Sequence, residues 1–457
     1  MLQGILKNEE GGVKELWALT YPLVLSTASA TIMQVVNRIF LAWYSPEALA
    51  AVMPAGILSF TFICFFLGTA SYTNVFVAQY YGGKRYANLS VSLWQGVWLA
   101  VFSSVLIALC IVPGLMIISM SAHTPAVKEM ERQYFVITTA AGGMVPLGAA
   151  LSAFFTGRGK TKVTMIVQVL ANAFNILLSY LLIFGKWGFP ELGIRGGAIA
   201  LVAGSFVPVI LFLAIILNEK HRRIYRTARL FSFHWPLFAK LLKYGVPNGV
   251  GFFLDIASFT VFVFLAGNMG DAVLAANNVI FTINTLAFMP ILGVGMAVET
   301  LVGQYMGANR PLIAARVAYS GLKLAGMYFL PLAAAFLLLP EPLLHLFSAH
   351  SAADMSEIFV IARVILKVLV VFTAFDMIGI IFSNAIRGGG DTKFQMLTSG
   401  LCAWFLFVPG VYVLVNRAAP ITALWWWGTF YSFMLGAVFY ARCRSGRWQS
   451  LRLGAHR

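Results

Sequence analysis

The chain has 457 residues, of which 60% are hydrophobic and only 11% charged, and its mean hydropathy is +0.84. A soluble globular domain carries roughly 25% charged residues, so the composition excludes one and specifies a polytopic membrane protein. The net charge of +16 does not point to nucleic acid, because cationic cytoplasmic loops facing anionic lipid account for it.

Apolar runs of about 20 residues predict an all-α protein of twelve transmembrane helices, near 15–42, 47–79, 91–119, 133–156, 163–184, 195–217, 240–267, 272–305, 314–340, 358–386, 394–415 and 421–441. Met1 to Glu15 is polar, and the first apolar run is long enough to span, so no cleavable signal peptide is expected. With the N-terminus placed inside, 23 of the 32 Lys and Arg residues fall on the cytoplasmic side and five in the opposite loops. The positive-inside rule therefore predicts a multi-pass cytoplasmic (inner) membrane protein with both termini cytoplasmic.

The second half of the chain repeats the first. A shift of 225 residues superposes Pro22 on Pro247, Leu49-Ala50-Ala51 on Leu274-Ala275-Ala276, Gly68 on Gly293, Gln79-Tyr80 on Gln304-Tyr305, and Gly82, Arg85 and Gly96 on Gly307, Arg310 and Gly321. A shift of 231 superposes Gly157, Gly159, Thr161, Lys162 and Met165 on Gly388, Gly390, Thr392, Lys393 and Met396. Six spans per copy is an even number, so the copies share one orientation and are expected to form two six-helix bundles related by a pseudo-twofold axis along the membrane normal. The predicted organisation is an N-terminal bundle over 1–217, a cytoplasmic basic linker over 218–239, a C-terminal bundle over 240–441 and a basic tail over 442–457. The linker stretch reads as an interfacial segment whose Phe231, Phe233, Trp235 and Phe238 sit at headgroup level.

Cys64, Cys110, Cys402 and Cys443 have no metal or redox spacing and read as small hydrophobes. The six histidines are scattered, and no zinc site is expected. Chemistry concentrates instead on two acids. Asp255 lies at the middle of the run Gly245 to Gly267, and Asp376 at the middle of the tenth span. A carboxylate near the bilayer centre is unfavourable by about 2.5–3.5 kcal/mol and calls for pairing, protonation or a bound cation. Arg363 and Lys367 precede Asp376 on its own helix, but Lys367, nine residues away, falls on the opposite face, so both are expected to reach the outer surface. Lys323 and Glu299 could pair with each other or reach the cytoplasmic interface, and Arg38 lies toward the outer end of its span.

The first bundle offers neutral polarity. In the fifth span Gln168, Asn172, Asn175 and Ser179 recur at i, i+4, i+7 and i+11, one helical stripe that fits poorly against lipid. Thr27, Thr31, Gln34 and Asn37 do the same in the first span, and Asn277 and Asn284, seven apart, extend the lining to the eighth. Such stripes line a cavity or bond helices together; taken as a set they predict a cavity. The segment 156–162 is similar to a phosphate loop, but Phe154 occupies the place of the required glycine. Transport would then draw on an ion gradient, with no cofactor.

The two Leu-Ala-Ala segments, the two Gln-Tyr-x-Gly ends, Gly157-Arg158-Gly159-Lys160-Thr161 with the following Asn175 and Leu182-Ile183-Phe184-Gly185, and Arg387-Gly388-Gly389-Gly390-Asp391-Thr392 together resemble the multidrug and toxic compound extrusion family, over nearly the whole chain. The resemblance implies a V-shaped pair of bundles that exports amphipathic, often cationic, small molecules in exchange for sodium ions or protons. In sodium-coupled bacterial members a glutamate in the seventh span and an aspartate in the tenth carry the cation, and these fall on Asp255 and Asp376, the expected sodium ligands here. Proton-coupled members use acids in the first and fifth spans, where this chain has Asn37 and Ser179. Asp255 is also one methylene shorter than the family's glutamate. The expectation is secondary active efflux by alternating access, the protein acting as a monomer in the lipid bilayer and not as an enzyme. The alternatives are a lipid-linked precursor flippase of the same superfamily, which calls for a more cationic interior, and a polytopic membrane enzyme, which calls for converging His, Glu or Cys residues.

Overall fold

Every predicted span is helical in the computed structural model, which describes residues 9–121, 123–227, 233–267, 269, 271–345 and 356–451. Among the described residues there is no strand. The helices are α1 (Val13–Tyr44), α2 (Pro46–Ser71), α3 (Thr73–Gly82), α4 (Tyr86–Leu109), α5 (Ile111–Met120), α6 (Pro125–Ala140), α7 (Met144–Thr156), α8 (Thr161–Phe184), α9 (Ile194–Ile216), α10 (Glu219–Tyr225), α11 (Trp235–Gly267), α12 (Asp271–Gly307), α13 (Pro311–Leu338), α14 (Pro340–His345), α15 (Ser356–Gly389), α16 (Thr392–Leu401), α17 (Val408–Asn416) and α18 (Ile421–Arg444).

Local chemistry sets the ends. Ser45 caps α2, its hydroxyl accepting from the Ala48 amide at 3.0 Å, with Pro46 at the first position where its missing N–H costs nothing. Gly185, at φ +62°, closes α8 in the left-handed conformation that glycine adopts without strain. Several spans consist of two helices in series, as in α2 with α3, α4 with α5 and α6 with α7, and the eleventh joins α16 to α17 through a π-helical turn, Cys402–Phe407. Among the described residues, eleven helical stretches are long and apolar enough to cross a membrane. The twelfth, α18, has 24 residues, enough for about 36 Å of rise, and its tryptophans, tyrosines and hydroxyl residues make it less apolar than the others.

The helices pack into two compact units, one holding 9–24 with 254–451 and the other 25–227 with 233–253. The boundary between these units falls inside α1 and α11. In the unit of 9–24 and 254–451, Leu16, Leu19 and Leu23 of α1 join a core with Val294, Val298 and Leu301 of α12, Val317 of α13, and Ile381 and Phe382 of α15. The preceding residues are tied down as well: Glu10 pairs with Arg310 at 2.8 Å, Ser320 donates to the Gly11 carbonyl at 2.8 Å, and the Tyr305 hydroxyl donates to the Glu15 carboxylate at 2.8 Å. In the other unit the first half of α11 lies hard against α2. A Cβ on Gly249 would stand 2.4 Å from the Phe65 carbonyl and 2.2 Å from the Thr69 hydroxyl, so only glycine permits that approach.

The basic linker is docked rather than laid on a surface. Ser90 and Trp94 of α4 donate to the carbonyls of Tyr225 and Thr227 at 2.6 and 2.8 Å, and the Gln95 side chain accepts from the His234 amide at 3.0 Å. Phe233 and Trp235 are exposed, as an interfacial role requires, whereas Phe238 is buried. Phe231, like 228–232 as a whole and the tail residues 452–457, lies outside the described residues. The glycine-rich segment after α7 is a tight turn in which Gly159 takes φ +75°. Arg158 within it is buried: its Nε donates to the Phe154 carbonyl at 2.6 Å and its guanidinium lies 4.6 Å from the centre of the Tyr225 ring. Burial holds the Arg158 pKa below its ordinary value.

Candidate acidic and polar sites in the two units

Asp255 lies on α11 and Asp376 on α15, both in the unit of 254–451 and both half-buried. Among the described residues, no hydrogen bond or ion pair reaches either carboxyl group. The charged side chains whose fields act on Asp255 are Asp376 and Arg387. Arg387 is already engaged, donating to Glu299 and Asn384 at 2.5 Å each. The cation that could have neutralised the acids therefore belongs to a separate pair, about three turns beyond Asp376 along α15.

Of the two possibilities the sequence left for Glu299 and Lys323, mutual pairing is not the one adopted. Glu299 pairs with Arg387 and not with Lys323, which is exposed, because α12 and α15 pack side by side and bring together residues 88 positions apart. Arg363 and Lys367 are exposed as expected, and Arg363 forms an ion pair with Glu341. Arg38 is exposed.

The same unit also carries buried and half-buried aromatic and amide groups. Tyr431 of α18 is half-buried and lies in the field of both carboxylates. Asn277 is fully buried, and its side-chain oxygen accepts from the Trp425 indole at 3.1 Å. Its side-chain nitrogen is without a partner among the described residues. Asn284 is half-buried on the same helix. The Trp404 indole donates to the carbonyl of Leu254, next to Asp255, at 3.4 Å. Tyr431 was not singled out from the sequence; the signal that marks it is its place between Thr429 and Ser432, a polar cluster within an apolar span.

The unit of 25–253 uses its polar residues differently. Asn37 of α1 donates to the Asn175 side-chain oxygen at 2.8 Å, and Asn175 in turn donates to the Ala200 carbonyl of α9 at 2.9 Å. Asn172 donates to the Ser29 hydroxyl at 2.8 Å. Three of the expected cavity residues are therefore engaged in interhelical hydrogen bonds that join α1, α8 and α9. Ser179 is fully buried, with its hydroxyl unpartnered among the described residues. Gln168 is half-buried, and Gln34 is exposed.

Outside the spans, His221 on α10 packs among Phe154, Phe155 and Tyr225 with ring centroids 5.6–6.2 Å apart, and its Nδ1 lies 2.8 Å from the Ile215 carbonyl. Burial lowers its pKa from the usual 6.5, and the positive charges of Arg158 and Lys220 act in the same direction.

With this geometry in place, comparisons with known proteins are informative. The model of the MatE family matches residues 22–181 and 247–413, one segment in each half of the repeat. The chain is 26% identical over 405 residues to a probable multidrug resistance protein NorM of Thermotoga maritima, covering 88% of this chain and 86% of that protein. It is 27% identical over 412 residues to the multidrug resistance protein PmpM of Pseudomonas aeruginosa, covering 88% and 84%. Its fold is similar to that of a solved structure described as the outward-facing conformation of a multidrug resistance MATE family transporter of the MOP superfamily, with a TM-score of 0.86, 20% identity and 96% of each chain covered.

Proposed function

The chain belongs to the MatE family of membrane transporters, and from that premise we propose that it exports amphipathic cationic molecules in antiport with sodium ions or protons, by alternating access. The observation that carries this reading is the Asp255–Asp376 arrangement: two half-buried carboxylates on two spans of one unit, each without a partner among the described residues. Two negative charges held in an apolar bundle favour a monovalent cation between them, since each offsets the other's desolvation only through a shared positive charge. A sodium ion would be held by these carboxylates, helped by nearby carbonyl and phenol oxygens. A proton would instead sit on one carboxyl and be shared with the other.

In the cycle, the cation-free acids attract the cationic substrate from the cytoplasm. On the outer side the coupling ion takes its place, and the neutralised bundle returns. At about 2.3 kcal/mol per charge per 100 mV, a potential of roughly 150 mV supplies about 3.5 kcal/mol for each net charge moved. Exchange of one coupling cation for one singly charged substrate moves no net charge and draws on the ion's concentration gradient alone, whereas each further coupling ion per cycle would add a substrate gradient of a few hundredfold, at about 1.4 kcal/mol per tenfold. The relatives named as multidrug resistance proteins support drug export over the flippase alternative, which no observation favours. We place the protein in the inner membrane with both termini cytoplasmic, on the distribution of its positive charges, and take it to act as a monomer.

The test is efflux of a fluorescent lipophilic cation from proteoliposomes under an imposed sodium gradient and then an imposed proton gradient. Efflux driven by one gradient in the wild type and lost in Asp255→Asn is the expected result. Undiminished efflux in both Asp255→Asn and Asp376→Asn would overturn the assignment.

A further inference from the structure

Each repeat ends its fourth span in the same glycine turn. Gly159 and Gly390, 231 positions apart, take φ +75° and +106°. The amides of Gly159 and Lys160 donate to the carbonyls of Thr156 and Phe155 at 2.8 Å, and those of Gly390 and Asp391 to the carbonyls of Arg387 and Ile386 at 3.0 Å. Each turn also sits on the same neighbour. A Cβ on Gly157 would stand 2.9 Å from the Asn74 carbonyl and one on Gly388 2.5 Å from the Glu299 carbonyl, and a shift of 225 relates Asn74 to Glu299. The side chains pair in register as well, the Thr156 hydroxyl donating to the Asn74 side-chain oxygen at 2.7 Å and Arg387 donating to Glu299 at 2.5 Å.

The copies differ in what covers the turn. In the unit of 25–253 the turn carries Arg158, whose guanidinium lies 3.7 Å from the centre of the Phe154 ring and 4.6 Å from that of Tyr225, so a side chain of the turn grips the segment that follows α9. In the unit of 254–451 the equivalent residue is Gly389, and the grip is reversed. Trp448, from the segment that follows α18, lies so close that a Cβ on Gly389 would stand 2.5 Å from its ring. Gly446, at φ +67°, makes the reversal that brings Trp448 there, and the indole N–H donates to the Cys443 carbonyl at 2.9 Å. Trp448 is fully buried, yet it is the one buried residue of 444–451, and it sits in a single 3-10 turn, Arg447–Ser450. A short turn held by one side chain opens as a local unit, separately from the core. The end of α18 stays tied when it does, because Arg442 donates to Asp391 at 2.8 Å.

We infer that residues 445–451 form a strap, the counterpart in the second repeat of the docked linker segment 219–227 in the first, and that Trp448 is its latch. Seated on Gly389, the indole holds the turn 388–391 against Glu299 of α12; withdrawn, it frees the turn and opens the Arg387–Glu299 pair to water.

The experiment measures hydrogen exchange of the full-length protein in detergent micelles at one pH, comparing the turn over 386–392 with its counterpart over 155–161. Trp448→Ala is expected to accelerate exchange in 386–392 by about a hundredfold and to leave 155–161 unchanged, with Trp448→Phe between it and the wild type. Gly389→Ala, whose methyl group meets the indole, is expected to accelerate the same amides in the wild type and to add nothing in the Trp448→Ala background, a pattern that general loss of core packing does not produce. Should Trp448→Ala fail to fold, Trp448→Phe and Gly389→Ala, singly and together, carry the same comparison. Unchanged exchange in 386–392, an equal rise in both turns, or additive effects of the two substitutions would overturn the strap.

Discussion

The two units treat buried polarity in opposite ways. In the unit of 25–253, Asn37, Asn172 and Asn175 form hydrogen bonds between helices, each amide meeting a neutral partner at 2.8–2.9 Å. In the unit of 254–451, Asp255 and Asp376 stand without a partner, while the nearby Arg387 is held by Glu299. A neutral amide in an apolar bundle is stabilised by one or two hydrogen bonds, whereas a carboxylate needs a charge. The repeat thus supplies one framework twice, with the acids of the second half and the amides of the first at positions that do not correspond: a shift of 225 places Asp255 on Ala30, and a shift of 231 places Asp376 on Val145.

The sharpest way to break this contrast is to neutralise the acids. Asp255→Asn and Asp376→Asn are each expected to reduce ion-driven efflux to background while shifting thermal unfolding in detergent little. Loss of efflux with a collapsed melting curve would mean that the acids are structural after all. A purely steric change comes next. Gly249→Ala forces a methyl group against the Phe65 carbonyl and Thr69 and is expected to destabilise by about 1–3 kcal/mol, read as a lowered midpoint of thermal unfolding.

Amide removal in the other unit sharpens the same comparison. Asn175→Ala leaves the Asn37 side-chain nitrogen and the Ala200 carbonyl without their partner, at a cost of about 1–3 kcal/mol. Efflux by the folded fraction is expected to keep its ion dependence, so a mutant that folds normally yet loses coupling would move the ion site into this unit.

The smallest effect is expected at the linker. His221 has its pKa lowered by burial among Phe154, Phe155 and Tyr225. The undocked state therefore binds more protons than the docked one, so docking is strongest above the ordinary pKa of 6.5 and weakens as pH falls below it. Hydrogen exchange of the backbone amides in 219–227 is expected to accelerate between pH 7.5 and pH 5.5 beyond the intrinsic pH effect. His221→Phe should remove that excess; if the excess persists, another group is the sensor.

Legibility from sequence differed by the range of the interactions involved. The spans were readable because burial in lipid demands long apolar runs, and Asp255 and Asp376 because a charge in such a run breaks the rule visibly. The amide stripe over 168–179 was visible at helical spacing, but spacing alone does not distinguish a cavity lining from interhelical bonds. Asn175 shows the second use, through partners on two other helices. Tyr431 and Trp448 were silent because aromatic residues are common throughout the chain and acquire meaning only from their neighbours.

The sequence by itself determined the class of protein, its apolar spans, its internal repeat and the pair of acids, since each follows from local hydropathy or from residue identity at a fixed spacing. Only the tertiary structure decided that residues 9–24 pack with 254–451 and that 233–253 pack with 25–227, that Glu299 takes Arg387, and that Trp448 folds back onto Gly389. The physical reason is that these features consist of contacts between residues tens to hundreds of positions apart, whose energies depend on distance and shape and leave no periodic trace along the chain.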